Sequence, residues 1–308
     1  MKVSWFDISE DNDGQRLDNF LVSRLKGVPK SRIYRLVRKG EVRVNKGRKR
    51  PEYRLKTGDI VRIPPISRPE QVIQHRDKAD LDWLDDRVLY EDKQIIALDK
   101  PSGMAVHGGS GISLGLIEAM RSLRGQNRFL ELVHRLDRDT SGCILLAKRR
   151  SALVALHAQL QAHKVDKRYL ALIKGNWQGG TKKVSANLER LSGPNGERMV
   201  RVSEAGKSAI SFIKPVQQFS GYTLVEIQLK TGRTHQARVH CAHLSQPIAG
   251  DERYGDPETN KKLKGIGLKR LFLHAASIEF SVNENENKKI KVSAPLPPEL
   301  KKVIKKLE

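Results

Sequence analysis

Cysteine is nearly absent: two in 308 residues, Cys143 inside an apolar run and Cys241 in a helical pattern. That supply builds no disulfide framework, so both read as small buried hydrophobes in a protein expected in the cytoplasm. Long apolar runs are missing as well. None approaches the ~20 residues that a membrane-crossing helix requires, and no basic helix carries a bulky apolar face, so no membrane partner is expected. The opening stretch, MKVSWFDISEDNDGQ, is acidic and has no apolar core segment, so it is not expected to act as a secretory signal. Spaced metal ligands are lacking too. His235, His240, Cys241 and His243 crowd together, but they fit neither HExxH nor CxxC, and only His240 and His243 would be near neighbours on a helix. No metal or small-molecule cofactor is expected. Negative charge is scarce relative to positive. Thirty-five Asp and Glu face 58 Lys and Arg, a net charge of +23. Such an excess argues for a polyanionic partner, nucleic acid before others, because neutralised phosphates release their counterions.

The basic residues are not spread evenly. Residues 1–65 hold 17 basic and 8 acidic side chains, a net of +9, and residues 14–65 read as one compact module. RLDNFLVSRL places Leu17, Phe20, Leu21 and Leu25 on one helical face. Ser31 is the expected N-cap of SRIYRLVRKG, with Ile33, Leu36 and Val37 inward, Arg32, Arg35, Arg38 and Lys39 outward, and Gly40 at the left-handed C′ position. Val42 and Val44 then alternate before a turn at 45–47, and Lys46, Arg48, Lys49 and Arg50 extend the basic surface towards a closing strand, GDIVRIPP. Arginines gathered on one of two short helices suit a phosphate-gripping surface.

Residues 66–83 mix Pro, Gln and charge without periodicity and read as a linker. From 84 to 308 short strands dominate: RVLYED, QIIALDK, CILLAK, RYLALIKG, YTLVEIQLK and LFLHAASIEF. Helical patterns fall at SLGLIEAMRSL, at SALVALHAQLQAH and after Thr234, and a Lys-rich helix closes the chain. This mixture predicts an α+β fold with a mixed, largely antiparallel sheet. The Gly-, Lys- and Arg-rich stretch 179–206 reads as an exposed hairpin and loop, and ENENKK as a polar turn.

Within the larger part, VHRLDRDTSG (133–142) runs directly into the apolar CILLAK. It sets Asp137 and Asp139 beside Arg135 and Arg138 at the edge of a core, where carboxylates are costly unless paired. Such a cluster either does chemistry or holds a salt-bridge network, and the residues alone do not choose. HRLDRDTSG resembles the central motif of the RluA family of pseudouridine synthases, which isomerise uridine to pseudouridine in RNA. Four further stretches are similar to that family's landmarks in the same order: LDKPSGMAVHGGSG (98–111), KTGRTHQARVH (230–240), GDERYG (250–255) and LHA (273–275). The module at 14–65 resembles the S4 RNA-binding domain, and the combination looks like the RluC-like branch.

The resemblance implies a pseudouridine synthase fold behind a small α/β S4 domain. It implies Asp137 as the catalytic residue, leaving Asp139 structural. Arg135 would fill the gap that a flipped nucleotide leaves, Tyr169 would pack on the target base, and Arg233 would pair with Asp137. Gln236 stands with Arg233 in the same motif and is expected at the RNA. Tyrosine at a strand start is by itself commoner in cores, so the role of Tyr169 rests on the resemblance. Asp99 and Ala237 depart from the family pattern, which has Asn, and Ile or Leu, there. The implied partner is large-subunit (23S) ribosomal RNA, met by a monomer. Three readings compete with this one: a catalytically inactive ribosomal-RNA binding or assembly factor, a hydrolase using Asp137 with Asp139, and a synthase acting on transfer RNA or other ribosomal uridines.

Overall fold

The computed structural model describes residues 3–25, 27–66, 81–108, 114–125, 129–192, 198–281 and 289–308. Most of the expected linker (67–80), residues 109–111 of HGGSG, residues 193–197 and most of ENENKK lie outside the described residues. The chain divides near residue 76 into two compact units.

The first unit contains β1 (Ser4–Asp7), α1 (Leu17–Arg24), α2 (Lys30–Arg38), β2 (Arg43–Val44) and β3 (Ile60–Ile63), with the strands antiparallel in the order β1-β3-β2. Strand β1 lies ahead of residue 14, where the module was expected to begin. It joins because SWFD alternates: Phe6 turns inward and meets Phe20 edge-on at 6.0 Å, while Trp5 faces solvent. The helical faces expected from periodicity form the core, with Leu17, Phe20, Leu21, Leu25, Ile33, Leu36 and Val37 all buried. Each such side chain removed from water contributes about 1.5–3 kcal/mol. The cap differs from expectation. Pro29 takes the N-cap position of α2, its extended backbone set at φ −55°, and Ser31 lies inside the helix.

In the second unit an 11-stranded sheet is formed among the described residues. Its strands are β4 (Val88–Glu91), β5 (Ile95–Lys100), β6 (Glu131–Leu132), β7 (Ser141–Ala147), β8 (Asp166–Lys174), β9 (Lys182–Ser192), β10 (Arg198–Val202), β11 (Lys207–Phe219), β12 (Tyr222–Leu229), β13 (Leu273–Ser281) and β14 (Lys289–Ser293). The main path runs β10-β9-β11-β12-β8-β13-β7-β5-β4. Its described pairings are antiparallel except β13 with β7, so the sheet is mixed and largely antiparallel. The helices are α3 (Leu116–Arg124), α4 (Arg150–Gln161), α5 (Gln236–His243), α6 (Pro257–Gly265) and α7 (Pro298–Leu307). The sheet is covered on both faces. Ile96, Leu98, Ile144 and Leu146 pack with α3 and α5, whereas Ile95, Ala97, Cys143 and Leu145 pack with α4. That double burial is why β7 reads as an unbroken apolar run rather than an alternation. Both cysteines are buried and unpaired, and burial pushes each thiol up to about 12.

The stretch 179–206 forms the expected hairpin and is also built into the sheet. It supplies β9 and β10, and β9 also pairs with β11, a strand of 13 residues.

Candidate active site

The loop 133–140 sits between β6 and β7, and the chain anchors it from below. Lys100 at the end of β5 is fully buried, and its Nζ donates to the carbonyl oxygens of Pro101 (2.8 Å), Met104 (2.8 Å) and Arg138 (3.0 Å). Three acceptors use the three protons of an ammonium, although burial pulls the Lys100 pKa down to about 7. The Gly103 N–H donates to the Arg138 carbonyl, the Arg138 Nε donates back to the Gly103 carbonyl, and the Ser102 hydroxyl donates to the Asp139 carbonyl. The 100–104 turn therefore buttresses the loop. Gly142, where the loop enters β7, adopts φ +107°, and a Cβ there would stand 2.2 Å from the Ala275 carbonyl oxygen. Only glycine fits this crossing.

Held in this way, Asp137 stands half-open on the face of the sheet that carries α3 and α5. Its Oδ1 lies 3.9 Å from His235 Nε2, and its Oδ2 lies 4.0 Å from Arg238 Nη1. Both separations exceed hydrogen-bond length. Arg238 is itself clamped, donating from Nε and Nη2 to the two oxygens of buried Asp251, each at 2.7 Å. Burial is the largest influence on Asp251 and opposes its ionisation, but the hydrogen bonds and charge of Arg238, together with the backbone N–H groups of Tyr254 and Arg253, outweigh it and hold the carboxyl below its usual value. The Asp251 Oδ1 also accepts from the backbone N–H groups of Arg253 and Tyr254.

The guanidinium beside Asp137 is therefore that of Arg238. This corrects the expectation for Arg233, which is exposed and donates from Nε to the Ser208 carbonyl at 3.1 Å. The reason is the turn between them. His235 adopts φ +53° and helix α5 begins at Gln236, so Arg233 precedes the turn while Arg238 rides the helix three residues after His235, on the same side. Gln236 also departs from expectation. It is buried, its Oε1 accepts from the Thr231 hydroxyl and the Arg233 N–H, and its Nε2 donates to the Ile210 carbonyl and Ser211 Oγ. An amide with every group satisfied inside the protein has none to offer RNA, and its work is to fix α5 against β11.

Two hollows meet at Asp137. A groove of about 1370 Å³ is lined by Arg87, Arg138, Arg253, Lys269, Arg270 and Lys301, among others. A smaller cavity of about 510 Å³ is lined by Tyr169, Leu229, Leu273, Lys167 and Arg233. Arg135, Asp137, His235 and Arg238 line both. Tyr169 reaches the cavity from β8, opposite Ala275 of β13 and Ile227 of β12. Burial, with the Asp137 charge next, pushes its phenol well above the usual value, so it stays protonated at neutral pH. Asp139 is exposed and lines the groove alone of the two hollows, away from Tyr169. His235, which sequence reasoning weighed only as a metal ligand, faces the carboxylate. Asp251 and Tyr254 were not singled out, though GDERYG carries both. Among the described residues no cluster of three potential metal ligands occurs.

On the first unit, Arg35, Arg38, Lys39, Lys46, Arg48, Lys49 and Arg50 are exposed, and Arg32 is half-buried. Gly40 ends α2 at φ +69° and the Arg48 side chain lies across it, where a Cβ would come within 2.4 Å of Arg48 Nε. The turn at Asn45 and Lys46, both left-handed, folds the 46–50 segment back towards the end of α2. Helix and loop thus present one basic surface. A link absent from the sequence reading, Tyr34 Oη to Asp18 at 2.8 Å, ties α2 to α1.

Comparison with known proteins bears on both units. The RNA pseudouridylate synthase family model matches residues 94–243, and the S4 domain model matches residues 15–61. A Haemophilus influenzae protein named ribosomal large subunit pseudouridine synthase C is 50% identical, over 99% of this chain and 95% of its own length. A protein of the same name from Escherichia coli K12 is 51% identical, over 97% of this chain and 95% of its own. Among solved structures, human RNA pseudouridylate synthase domain containing 4 superposes with a TM-score of 0.62 at 24% identity, covering 75% of this chain and 96% of that one. Human RNA pseudouridylate synthase domain containing 1 gives 0.56 at 23%, covering 68% and 83%. At such identity the two human structures speak to the fold.

Proposed function

The chain belongs to the RNA pseudouridylate synthase family and is an RNA pseudouridine synthase, and from that premise we propose that it isomerises uridines of large-subunit ribosomal RNA with Asp137 as the catalytic carboxylate. The reaction breaks the bond from C1′ to N1 of the base, turns the base, and joins C1′ to C5. C5 loses a proton and N1 gains one, so no oxidant or leaving group is required. The carboxylate serves by attacking C1′ or by taking a ribose proton. The observation that carries the reading is the position of Asp137 where a cationic groove opens into a small cavity walled by Tyr169. A groove lined by arginines accommodates the backbone, and the cavity accommodates a single flipped base.

Arg238 places its positive charge 4.0 Å from the carboxylate without hydrogen-bonding to it. The protonated phenol of Tyr169 serves by its ring, packed on the uracil, rather than as a base. Exposed Arg135, on the rim of both hollows, is the side chain placed to fill the space that the flipped nucleotide vacates. In this reading residues 14–65 form an RNA-gripping S4 domain, 66–83 a linker and 84–308 the catalytic domain. Arg32, Arg35, Arg38, Lys39, Lys46, Arg48, Lys49 and Arg50 would contact phosphate. The enzyme would act as a monomer in the cytoplasm, and among the described residues no helix is long and apolar enough to cross a membrane.

The test is Asp137→Asn on a large-subunit RNA fragment. Pseudouridine formation should disappear while RNA affinity stays within a few fold, because phosphate contacts elsewhere dominate binding. Product at a comparable rate would remove Asp137 from the mechanism. Wild-type protein that bound the fragment without converting any uridine would favour the assembly-factor reading.

A further inference from the structure

We propose that His235 is a positioning residue for the reaction, a neutral imidazole held by Tyr254 so that its Nε2–H faces Asp137. The proposal rests on Asp137 being the catalytic carboxylate. Four observations lead to it. His235 Nδ1 lies 2.8 Å from the Tyr254 hydroxyl oxygen. That oxygen already accepts the backbone N–H of Val200 at 2.9 Å. Among the described residues Nδ1 is the acceptor in reach of the hydroxyl proton, so Tyr254 donates to Nδ1 and the ring proton resides on Nε2. Nε2 in turn stands 3.9 Å from Asp137 Oδ1.

The ring is held in place from several sides. Its plane meets that of Tyr254 at 66° with centroids 5.6 Å apart, and Tyr254 is itself fixed by the Arg238 guanidinium, 5.0 Å from its ring. The His235 backbone adopts the left-handed conformation at φ +53°, uncommon for a residue other than glycine and retained only where the surroundings enforce it. The groups facing the imidazole are Asp137, Asp251, Arg238, Arg253 and Tyr254. Burial outweighs the pull of Asp137 and lowers the His235 pKa, in keeping with a neutral ring.

The arrangement assigns one donor to each oxygen of the carboxylate. His235 addresses Oδ1 and Arg238 addresses Oδ2, at nearly equal distances. Neither makes a hydrogen bond in the free protein, so the carboxylate keeps its lone pairs for C1′ or a ribose proton. A neutral donor orients Oδ1 without adding a second positive charge beside the Arg238 guanidinium. Catalytic contacts of this type commonly shorten when substrate binds.

The experiment compares His235→Ala, His235→Gln, Tyr254→Phe and the double variant His235→Ala/Tyr254→Phe under single-turnover conditions on one RNA stem-loop. His235→Ala should lower the rate about 100-fold, the scale of a misplaced reacting group, with affinity and melting temperature close to wild type. His235→Gln, which can return an N–H towards Oδ1, should recover part of the rate. Tyr254→Phe should lower the rate about 10-fold, an intermediate loss on that same scale, and the double variant should be no slower than His235→Ala, because Tyr254 acts through His235. Additive losses, or a Tyr254→Phe enzyme at wild-type rate, would overturn the arrangement even if His235→Ala fails to fold. Asp137→Asn measured in parallel separates the two readings. If it is inactive while the His235 and Tyr254 variants are unimpaired, only the positioning role fails. If it remains active, the assignment of Asp137 fails first.

Discussion

At the scale of single residues, the arginine that faces Asp137 is the point on which structure and motif reading part. GRTHQARVH contains two arginines, and charge alone cannot rank them. The left-handed turn at His235 separates them, sending Arg233 to the Ser208 carbonyl and Arg238 to the carboxylate pair Asp137 and Asp251. Two substitutions should therefore behave differently. Arg233→Ala is expected to keep turnover within a few fold and to weaken RNA binding modestly. Arg238→Ala is expected to abolish most turnover and to destabilise the fold by roughly 3–5 kcal/mol, since it strands Asp251 as a buried unpaired charge. Single-turnover rates with denaturant titrations on both variants check this, and equal losses of activity would restore Arg233 to the site.

At the scale of elements, the loop that carries Asp137 depends on the end of the strand that pairs with β7 in the sheet. Lys100 closes β5 opposite Gly142 of β7, and from there its ammonium gathers three carbonyls of the two adjoining turns. Lys100→Met keeps much of the volume but leaves those carbonyls without a donor, at a cost of about 1–3 kcal/mol for a buried acceptor left unmade. The variant should fold with a lowered melting temperature and lose most of its turnover while RNA affinity is largely kept. Unchanged turnover would mean that the loop holds its shape without the lysine.

At the scale of the whole molecule, three histidines, His240 and His274 buried and His134 half-buried, set a stability limit on the acid side. Burial brings His134, His240 and His274 each down to about 4, from the usual imidazole value near 6.5. Because the folded values lie below the unfolded ones, the unfolded chain takes up protons first as pH falls. Stability should be full above about pH 6.5 and decline progressively towards pH 4, by on the order of 2 kcal/mol for each histidine. Melting temperature against pH checks this. His240 has no hydrogen-bond partner for either ring nitrogen among the described residues, so His240→Phe should flatten the decline. A curve unchanged by that substitution would assign the loss elsewhere. The two units also make separate contributions. Each encloses its own core, and buried Leu81 belongs to the second, so removing residues 1–76 should leave a folded catalytic unit that binds ribosomal RNA more weakly and with a shallower salt dependence. Identical slopes of affinity against salt for both forms would show that the N-terminal unit does not touch phosphate.

Much of this was already legible in the chain. Strands β5, β7, β8, β12 and β13 announce themselves as β-branched and leucine-rich runs because the sheet is buried on both faces, and α1 and α2 show a 3.6-residue period because each buries one side. The loop with Asp137 stands out because charge is costly beside a core. The hairpin of β9 and β10 was legible as a hairpin, but its pairing with β11 was not. In β9 the apolar face is thin, buried Val184 and Leu188 with half-buried Ala186 between them, and backbone pairing with β10 and β11 completes the strand. Long-range geometry was equally hidden. Which residue types could do the chemistry follows from composition, period and local turn preference, all properties of neighbours along the chain. Which of them meet follows from the folded backbone. His235 and Arg238 come from one segment, Asp251 and Tyr254 from another and Asp137 from a third, and their convergence depends on a backbone turn and a helix start that no pattern of residue types encodes.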